Sequence, residues 1–516
     1  MKYRIGIDVG GTHTDSVLLD GNLQCVCQVK VATSKDISSG IYQSVKELLE
    51  KSQVDPQKIA HAMLGTTHCT NAIVERKKLM EVAVIRLGAP ATTAIPPLAG
   101  WPDDLVGMIG RNTYIISGGY EYDGRKIAAV DEIEVREVCQ KIKGKVHSVA
   151  IVGVFSPVNQ EQEKQVAEIV REELGEDIFL SLSNEIGSVG LLERENATIL
   201  NAALKETVKE VANGFQQTLE REGIQAKIYF GQNDGTLMTS EYALDYPILT
   251  IASGPTNSIR GAAHLTGLEN ALVVDIGGTT TDIGVLVNGF PRQSSLAVEI
   301  GGIRTNFRMP DLLSIGLGGG TVVHQKKGKL SIGPDSVGYR LKEKGMIFGG
   351  DTLTTTDVAV KLGKYHFENA LTDKVDASIA EQANQLMTEM LEEAIDRMKI
   401  SRDDVQVILV GGGSILVPSK LKGVSKVHLP ENYAAANAIG AALGEVSGET
   451  DKIYALDSKT YEEVIQDAKD HAINAAITAG ASPETVKIVH LEDIPLAYLP
   501  GNSIHVKVKA AGLLKD

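Results

Sequence analysis

The chain carries almost the same turn twice. Asp8-Val9-Gly10-Gly11-Thr12-His13-Thr14-Asp15 returns 267 residues later as Asp275-Ile276-Gly277-Gly278-Thr279-Thr280-Thr281-Asp282, and seven of the twelve positions from 8 to 19 repeat identically at that offset. Each copy lies between two apolar β-like runs, 3–7 and 17–19 in the first, 271–274 and 283–287 in the second. Short apolar runs around a Gly-Gly turn predict a β-hairpin. A single copy would read as an ordinary tight hairpin, but two can face one another across a cleft. Glycines 10, 11, 277 and 278 let a backbone approach phosphate oxygens, and Thr12, Thr279 and Thr280 can donate to them together with the loop N–H groups. Asp8, Asp275 and Asp282 can hold Mg²⁺ directly or through water, with Asp8 and Asp275 the expected metal pair.

Paired phosphate hairpins in two similar halves resemble the actin, sugar-kinase and chaperone-ATPase superfold. That resemblance implies an α/β chain with two domains around an ATP cleft, expected as residues 1–258 and 259–447, with 448–516 as a small separate α/β unit. Neither copy has the Gly-x-Gly-x-x-Gly of a dinucleotide fold or the Gly-x-x-x-x-Gly-Lys-Ser/Thr of a P-loop.

At 516 residues, 43% of them hydrophobic and 23% charged, the chain has material for several buried cores. A net charge of −15 argues against a nucleic-acid or anionic-membrane partner. Cysteines 25, 27, 69 and 139 form no Cys-x-x-Cys, so neither a zinc site nor a disulfide framework is expected, and Cys25 and Cys27 should share one buried strand face. No apolar run approaches the length of about 18 residues that marks a membrane span, and the N-terminus enters a strand without a signal peptide. The expectation is a cytoplasmic protein.

Strands and helices alternate over 1–90, which predicts a largely parallel sheet. Residues 88–131, rich in Gly, Pro and Tyr, look irregular and form a cap or a substrate-facing loop in this reading. Residues 188–222 are helix-compatible for most of their length, and a helix that long would cross the molecule. The apolar run 405–410 leads into Gly411-Gly412-Gly413-Ser414, a tight strand-to-helix turn or, in the superfold, the place where glycines pass over the nucleoside. The small-residue segments 259–265 and 434–443 could pack closely as helices and serve as a hinge for cleft closure.

Several segments together resemble the A-type subunit of the ATP-dependent hydantoinase and 5-oxoprolinase family. They are the opening Ile7 to Asp15 motif, with His13 where the family usually carries an aromatic, then Gly65-Thr66-Thr67-His68-Cys69-Thr70-Asn71-Ala72 with Glu75-Arg76-Lys77. Ser183-Asn184-Glu185-Ile186, Glu193-Arg194, Asn201-Ala202, Ser253-Gly254-Pro255, the second hairpin, Gly316-Leu317-Gly318-Gly319-Gly320 and Thr356-Asp357 follow in family order, spanning about residues 1–445. The resemblance implies ATP-driven opening of a cyclic amide by phosphorylation of its carbonyl oxygen; relatives carboxylate ketones. It also implies a companion subunit, since the chain ends at 516 without the second large half of full-length oxoprolinases, and a homo-oligomer is compatible with it.

The remaining candidates carry two readings each. His13 and His68 fit substrate or metal contact as well as capping or core roles. Asn71 can bind a carbonyl or anionic group at a helix start or cap it. Glu185 and Arg194 are catalytic or an ion pair on a structural helix, and Gly318 and Gly319 are candidates for substrate approach. The alternative function is a non-metabolic ATPase of the same superfold that reactivates or activates a partner enzyme.

Overall fold

The computed structural model describes residues 2–10, 13–32, 37–187, 189–294, 298–307, 309–326, 328–456, 459–496 and 503–515. Gly11, Thr12, Ser188 and the expected turn at Pro500-Gly501-Asn502 lie outside the described residues.

Both hairpins form. Tyr3–Val9 pairs antiparallel with His13–Leu19, Asp8 opposite Asp15, and Ala271–Ile276 pairs antiparallel with Thr281–Val287, Asp275 opposite Asp282. On its other side each first strand takes a parallel neighbour, Ile59–Thr66 in the first half and Val405–Val410 in the second. The repeat in sequence is thus a repeat in sheet topology.

The first half's sheet has nine strands, and it is mixed rather than largely parallel. An all-parallel sheet does occur, but as a separate four-stranded unit of Thr113–Ser117, Val82–Ala89, Ser148–Gly153 and Phe179–Leu182. Its strands are apolar on both faces, as parallel sheets require: Ala83, Ile85 and Leu87 meet helices Glu132–Ile142 and Glu161–Leu174, while Val82 and Val84 join the main core. The stretch 88–131 accordingly contains a helix, Asp103–Ile109, and the strand Thr113–Ser117.

Residues 448–516 do not stand apart. Val446–Ala455, Ser503–Gly512 and Lys487–Pro495 extend the nine-stranded sheet beyond Leu237–Thr239. Helix Tyr461–Thr478 buries Val464, Ala468, Ala472 and Ala476 in the first half's core. Alanines one turn apart make a flat face suited to lie on a sheet, and the sheet supplies the cover that a unit this small could not supply itself. Three further expectations are corrected. The stretch 188–222 is two helices, Leu191–Ala203 and Lys205–Arg221, parted at Leu204. Gly411 is followed by a short 3-10 turn, Gly412–Leu416, rather than a helix. Cys25 and Cys27 share a face but are half-buried, at the start of a strand whose burial on that face begins only at Val29 and Val31.

Two helices connect the halves. Ser253–Thr266 leaves the first half and packs Ile259 and Ala262 against Val273, Leu286, Ile408 and Val410 of the second sheet. Ala436–Ala442 returns and packs Ala438, Ile439 and Ala442 against Val17 and Leu19 of the first. They cross in close contact: a Cβ on Gly261 would meet the Ala436 carbonyl, and one on Gly440 the Asn257 carbonyl. The second half also sends the hairpin Val298–Ile300/Ile303–Thr305 into the first, where Ile300, Ile303 and Phe307 join the main core and the Gly301 carbonyl accepts from Arg76 Nη2 at 2.9 Å. No helix among the described residues is long and apolar enough to cross a membrane.

Candidate active site

Side chains opposite one another on neighbouring strands share a face, so strand register arranges them in rows. In the first half the row is Gly65, Asp8, Asp15, Lys30. In the second it is Val410, Asp275, Asp282, Ser314. The turns beyond the rows also match: Gly10 N–H donates to the His13 carbonyl at 3.0 Å and Gly277 N–H to the Thr280 carbonyl at 2.9 Å.

The crossing helices hold the first carboxylate of each row. Asn437 Nδ2 donates to Asp8 Oδ2 at 3.0 Å, and the Ser258 hydroxyl donates to Asp275 Oδ2. Asp8 Oδ1 is buried beside Gly65 and Asn257 without a hydrogen bond. Burial, with Asp15 adding like charge, pushes the Asp8 pKa up to about 6. Burial pushes Asp275 up to about 7, with Asp282 and Asp8 adding to it. Asp282 accepts from the Ser314 hydroxyl and is likewise raised by burial. Asp15 instead pairs with Lys30, whose Nζ lies 2.8 and 2.9 Å from its two oxygens.

An orphaned buried oxygen and raised carboxyl pKa values fit a hard divalent cation, which would offset the cost of ionising them. Among the described residues no group of three or more His, Cys, Asp or Glu side chains could hold a metal alone, so such an ion would need phosphate oxygens or water as further ligands.

Other expected residues fall around this centre in different ways. Gly318 and Gly319 lie beneath the second turn, not in open space: Gly319 N–H donates to the Gly277 carbonyl at 3.0 Å, Gly320 N–H to that of Gly278 at 2.7 Å, and a Cβ on Gly318 would meet Thr279 N. Gly411, at φ +82°, and Gly413 are packed against Asp275, Ile276 and Gly277, whereas a Cβ on Gly412 would meet nothing within 4 Å. His13 begins the second strand of its hairpin, its pKa lowered by burial and by Lys30. His68 starts helix His68–Glu75 with Nδ1 on the Thr66 hydroxyl, and burial lowers its pKa to about 4, so it is neutral near pH 7. The Thr67 hydroxyl donates to the Val9 carbonyl at 3.3 Å and Asn71 Nδ2 donates to Thr67 Oγ1 at 3.4 Å, tying that helix start to the first hairpin.

Glu185 and Arg194 are not an ion pair. Tyr246 donates to Glu185 Oε2 at 3.1 Å, while Arg194 is buried in the four-stranded unit, donating to Ser183 Oγ at 3.1 Å and to the Gly153 carbonyl at 2.6 Å beside Glu163. The two residues stand on separate helices, Ser183–Ile186 and Leu191–Ala203, so no helical spacing brings them together.

Sequence reasoning missed Ser258, Asn437 and Lys30. For Asn437 a signal existed, a lone polar residue within a small-residue helix, where a buried polar group needs a partner; Ser258 stands among other polar residues, Thr256 and Asn257, and does not stand out. Lys30 had none, because only the register of Cys25–Ala32 sets it beside Asp15.

Two mixed sheets led by matching turns, with crossed helices between them, are the actin, sugar-kinase and chaperone-ATPase architecture. Within that class the chain belongs to the hydantoinase/oxoprolinase family: residues 4–174 match the Hydantoinase/oxoprolinase N-terminal region and residues 194–378 match Hydantoinase/oxoprolinase. It is 26% identical to caprolactamase subunit alpha of Pseudomonas jessenii, a match covering 86% of this chain and 66% of that protein. It is 25% identical to an uncharacterized protein of Methanocaldococcus jannaschii over 100% of this chain and 83% of that protein. The crystal structure of ATP-dependent caprolactamase from Pseudomonas jessenii shares the fold, with a TM-score of 0.79 at 18% identity over 99% of this chain and 88% of that chain.

Proposed function

We propose that the chain binds Mg-ATP between the two hairpins and transfers the terminal phosphoryl group to the carbonyl oxygen of a cyclic amide of hydantoin, 5-oxoproline or lactam type. The observation that carries this reading is the pair of matching carboxylate rows, held by crossed helices, in a chain of this family. An amide carbonyl is a poor electrophile, and phosphorylation makes its oxygen a leaving group. The carbonyl oxygen attacks the terminal phosphorus, the bond to the β,γ-bridging oxygen breaks, and ADP departs. One water then opens the ring C–N bond, the nitrogen taking its proton, and leaves an acyl phosphate; a second water displaces phosphate from carbon.

Such chemistry asks the protein mainly for position and charge compensation. Gly10 and Gly277 use their own N–H groups to close the turns, which leaves Gly278, Thr279 and Thr280 as donors to phosphate in the second turn. Asp8 and Asp275 would hold Mg²⁺, which neutralises phosphate charge when bound. Gly412, the glycine of its loop with open space above it, lies under the nucleoside. Gly412→Val is therefore expected to raise the KM for ATP severalfold with kcat little changed, as when uniform binding is lost; steady-state kinetics showing an unchanged KM would move the nucleoside elsewhere.

A companion subunit completes the ring opening. The chain spans 66% of a relative that is itself named a subunit. The test is an ATPase screen with hydantoin, 5-oxoproline, lactams and ketones, with and without a co-expressed companion, followed by oxygen labelling. Label placed in the carbonyl of a stimulating substrate is expected in the released phosphate. Label that never reaches phosphate would rule out carbonyl phosphorylation, and stimulation by a partner protein alone would favour the reactivating ATPase.

A further inference from the structure

The two carboxylate rows differ at one end. Where the second row closes with Ser314, whose hydroxyl reaches no further than Asp282, the first closes with Lys30 beside Asp15. An exposed lysine on a surface carboxylate would be an ordinary ion pair with little consequence. Here the carboxylate is different. Asp15 is buried, one strand from Asp8, and both its oxygens accept from Lys30. The ammonium has three donors, and two are spent on Asp15. Its side chain stays 42% exposed although the carboxylate it meets is buried. It closes the row on the same sheet face as Asp8, two strands away.

A cleft with four carboxylates in two rows repels a polyanion, and the triphosphate needs a protein cation on the side where the carboxylates are not all to be met by metal. We infer that Lys30, held in place by Asp15, is the cation that receives the terminal phosphoryl group of the bound nucleotide. This inference rests on the phosphoryl-transfer reading above. As the β,γ-bridge breaks, charge develops on the phosphoryl oxygens and on the departing ADP, and the attraction of a lysine point charge beside them is stronger in the transition state than in the ground state. Asp15 is then a positioning residue: it keeps a flexible side chain at the site before nucleotide arrives. The asymmetry of the rows also assigns the first half to the transferred group, because the second half has a hydroxyl at the corresponding position.

The test compares full-length wild type with Lys30→Met, Lys30→Arg and the double variant Lys30→Met/Asp15→Asn, which leaves no buried carboxylate without its partner. Calorimetric binding of Mg-ADP and of a Mg-bound ATP analogue with a non-cleavable β,γ-bridge separates the terminal phosphate from the rest. Lys30→Met and the double variant are expected to lose about tenfold or more in affinity for the triphosphate, the range of a charge-assisted hydrogen bond, with ADP affinity little changed. Lys30→Arg should restore most of the preference for triphosphate, and kcat should fall in the methionine variants with a smaller change in KM. An unchanged ratio of triphosphate to diphosphate affinity in a folded Lys30→Met protein, or in the double variant, would overturn the role of Lys30 while leaving the phosphoryl-transfer reading intact. Wild type that binds neither nucleotide would overturn both.

Discussion

Asp275→Asn is expected to remove most turnover of ATP and, above about pH 7, to give a nucleotide-free protein harder to unfold than wild type. Burial with Asp282 and Asp8 nearby raises the Asp275 pKa from 3.8 to about 7 in the folded chain. A raised carboxyl stabilises the fold as the neutral acid: that contribution is fully present below 3.8 and lost as the pH rises through about 7. A tenfold change in proton affinity between the folded and unfolded chain corresponds to about 1.4 kcal/mol. The amide keeps the shape and an acceptor for Ser258, never ionises, and so escapes the loss. The same change removes a carboxylate proposed to hold Mg²⁺, and turnover should fall by about two to three orders of magnitude, as when one preorganised electrostatic group is deleted. Urea titrations at about pH 5 and about pH 8, where a carboxyl raised this far is mostly neutral and mostly ionised respectively, read the first effect, and an ATPase assay reads the second. Wild-type turnover in the folded variant would remove Asp275 from the site. A stability difference equal at both pH values would show that ionisation is not its source.

Gly440→Ala should act through packing and reach the site indirectly. The added Cβ would meet the Asn257 carbonyl, a backbone atom that cannot rotate away, so the crossed helices must separate. Overpacking of this kind costs about 1–3 kcal/mol, and more where backbone must move. Asn437 lies one turn before Gly440, and Asn257 is followed by Ser258, so separation draws Asn437 from Asp8 and Ser258 from Asp275. Stability and nucleotide affinity should therefore fall together. Gly107→Ala is the matched control: its Cβ would meet nothing within 4 Å, and its place in helix Asp103–Ile109 predicts a gain of about 0.5–1 kcal/mol. Should Gly440→Ala unfold at the same urea concentration as wild type and bind nucleotide as well, the crossing would not be the element that sets the two carboxylates.

The halves are tied together by more than this crossing. The Val298–Ile300/Ile303–Thr305 hairpin places second-half side chains in the first half's core, and the C-terminal strands return to the first half's sheet. Relative motion of the halves must therefore bend or carry these segments, a constraint invisible when the chain is divided at positions 258 and 447.

The sequence by itself determined the paired hairpins, the strand that ends at Gly411 and the two small-residue helices. These are short-range consequences: a hairpin follows from its turn, and a helix of Ala and Gly presents the same small face wherever it packs. Tertiary structure alone decided what meets the carboxylates. Asn437 reaches Asp8 across 429 positions, and Lys30 reaches Asp15 only because a third strand pairs in one register of several possible. It also decided that Gly318 and Gly319 support the second turn and that residues 448–516 lengthen the first sheet. A local pattern reports which face of an element is apolar and where the chain turns. It does not report which sheet edge will accept a strand, or which buried polar group will find its partner, because those outcomes depend on contacts among segments hundreds of residues apart.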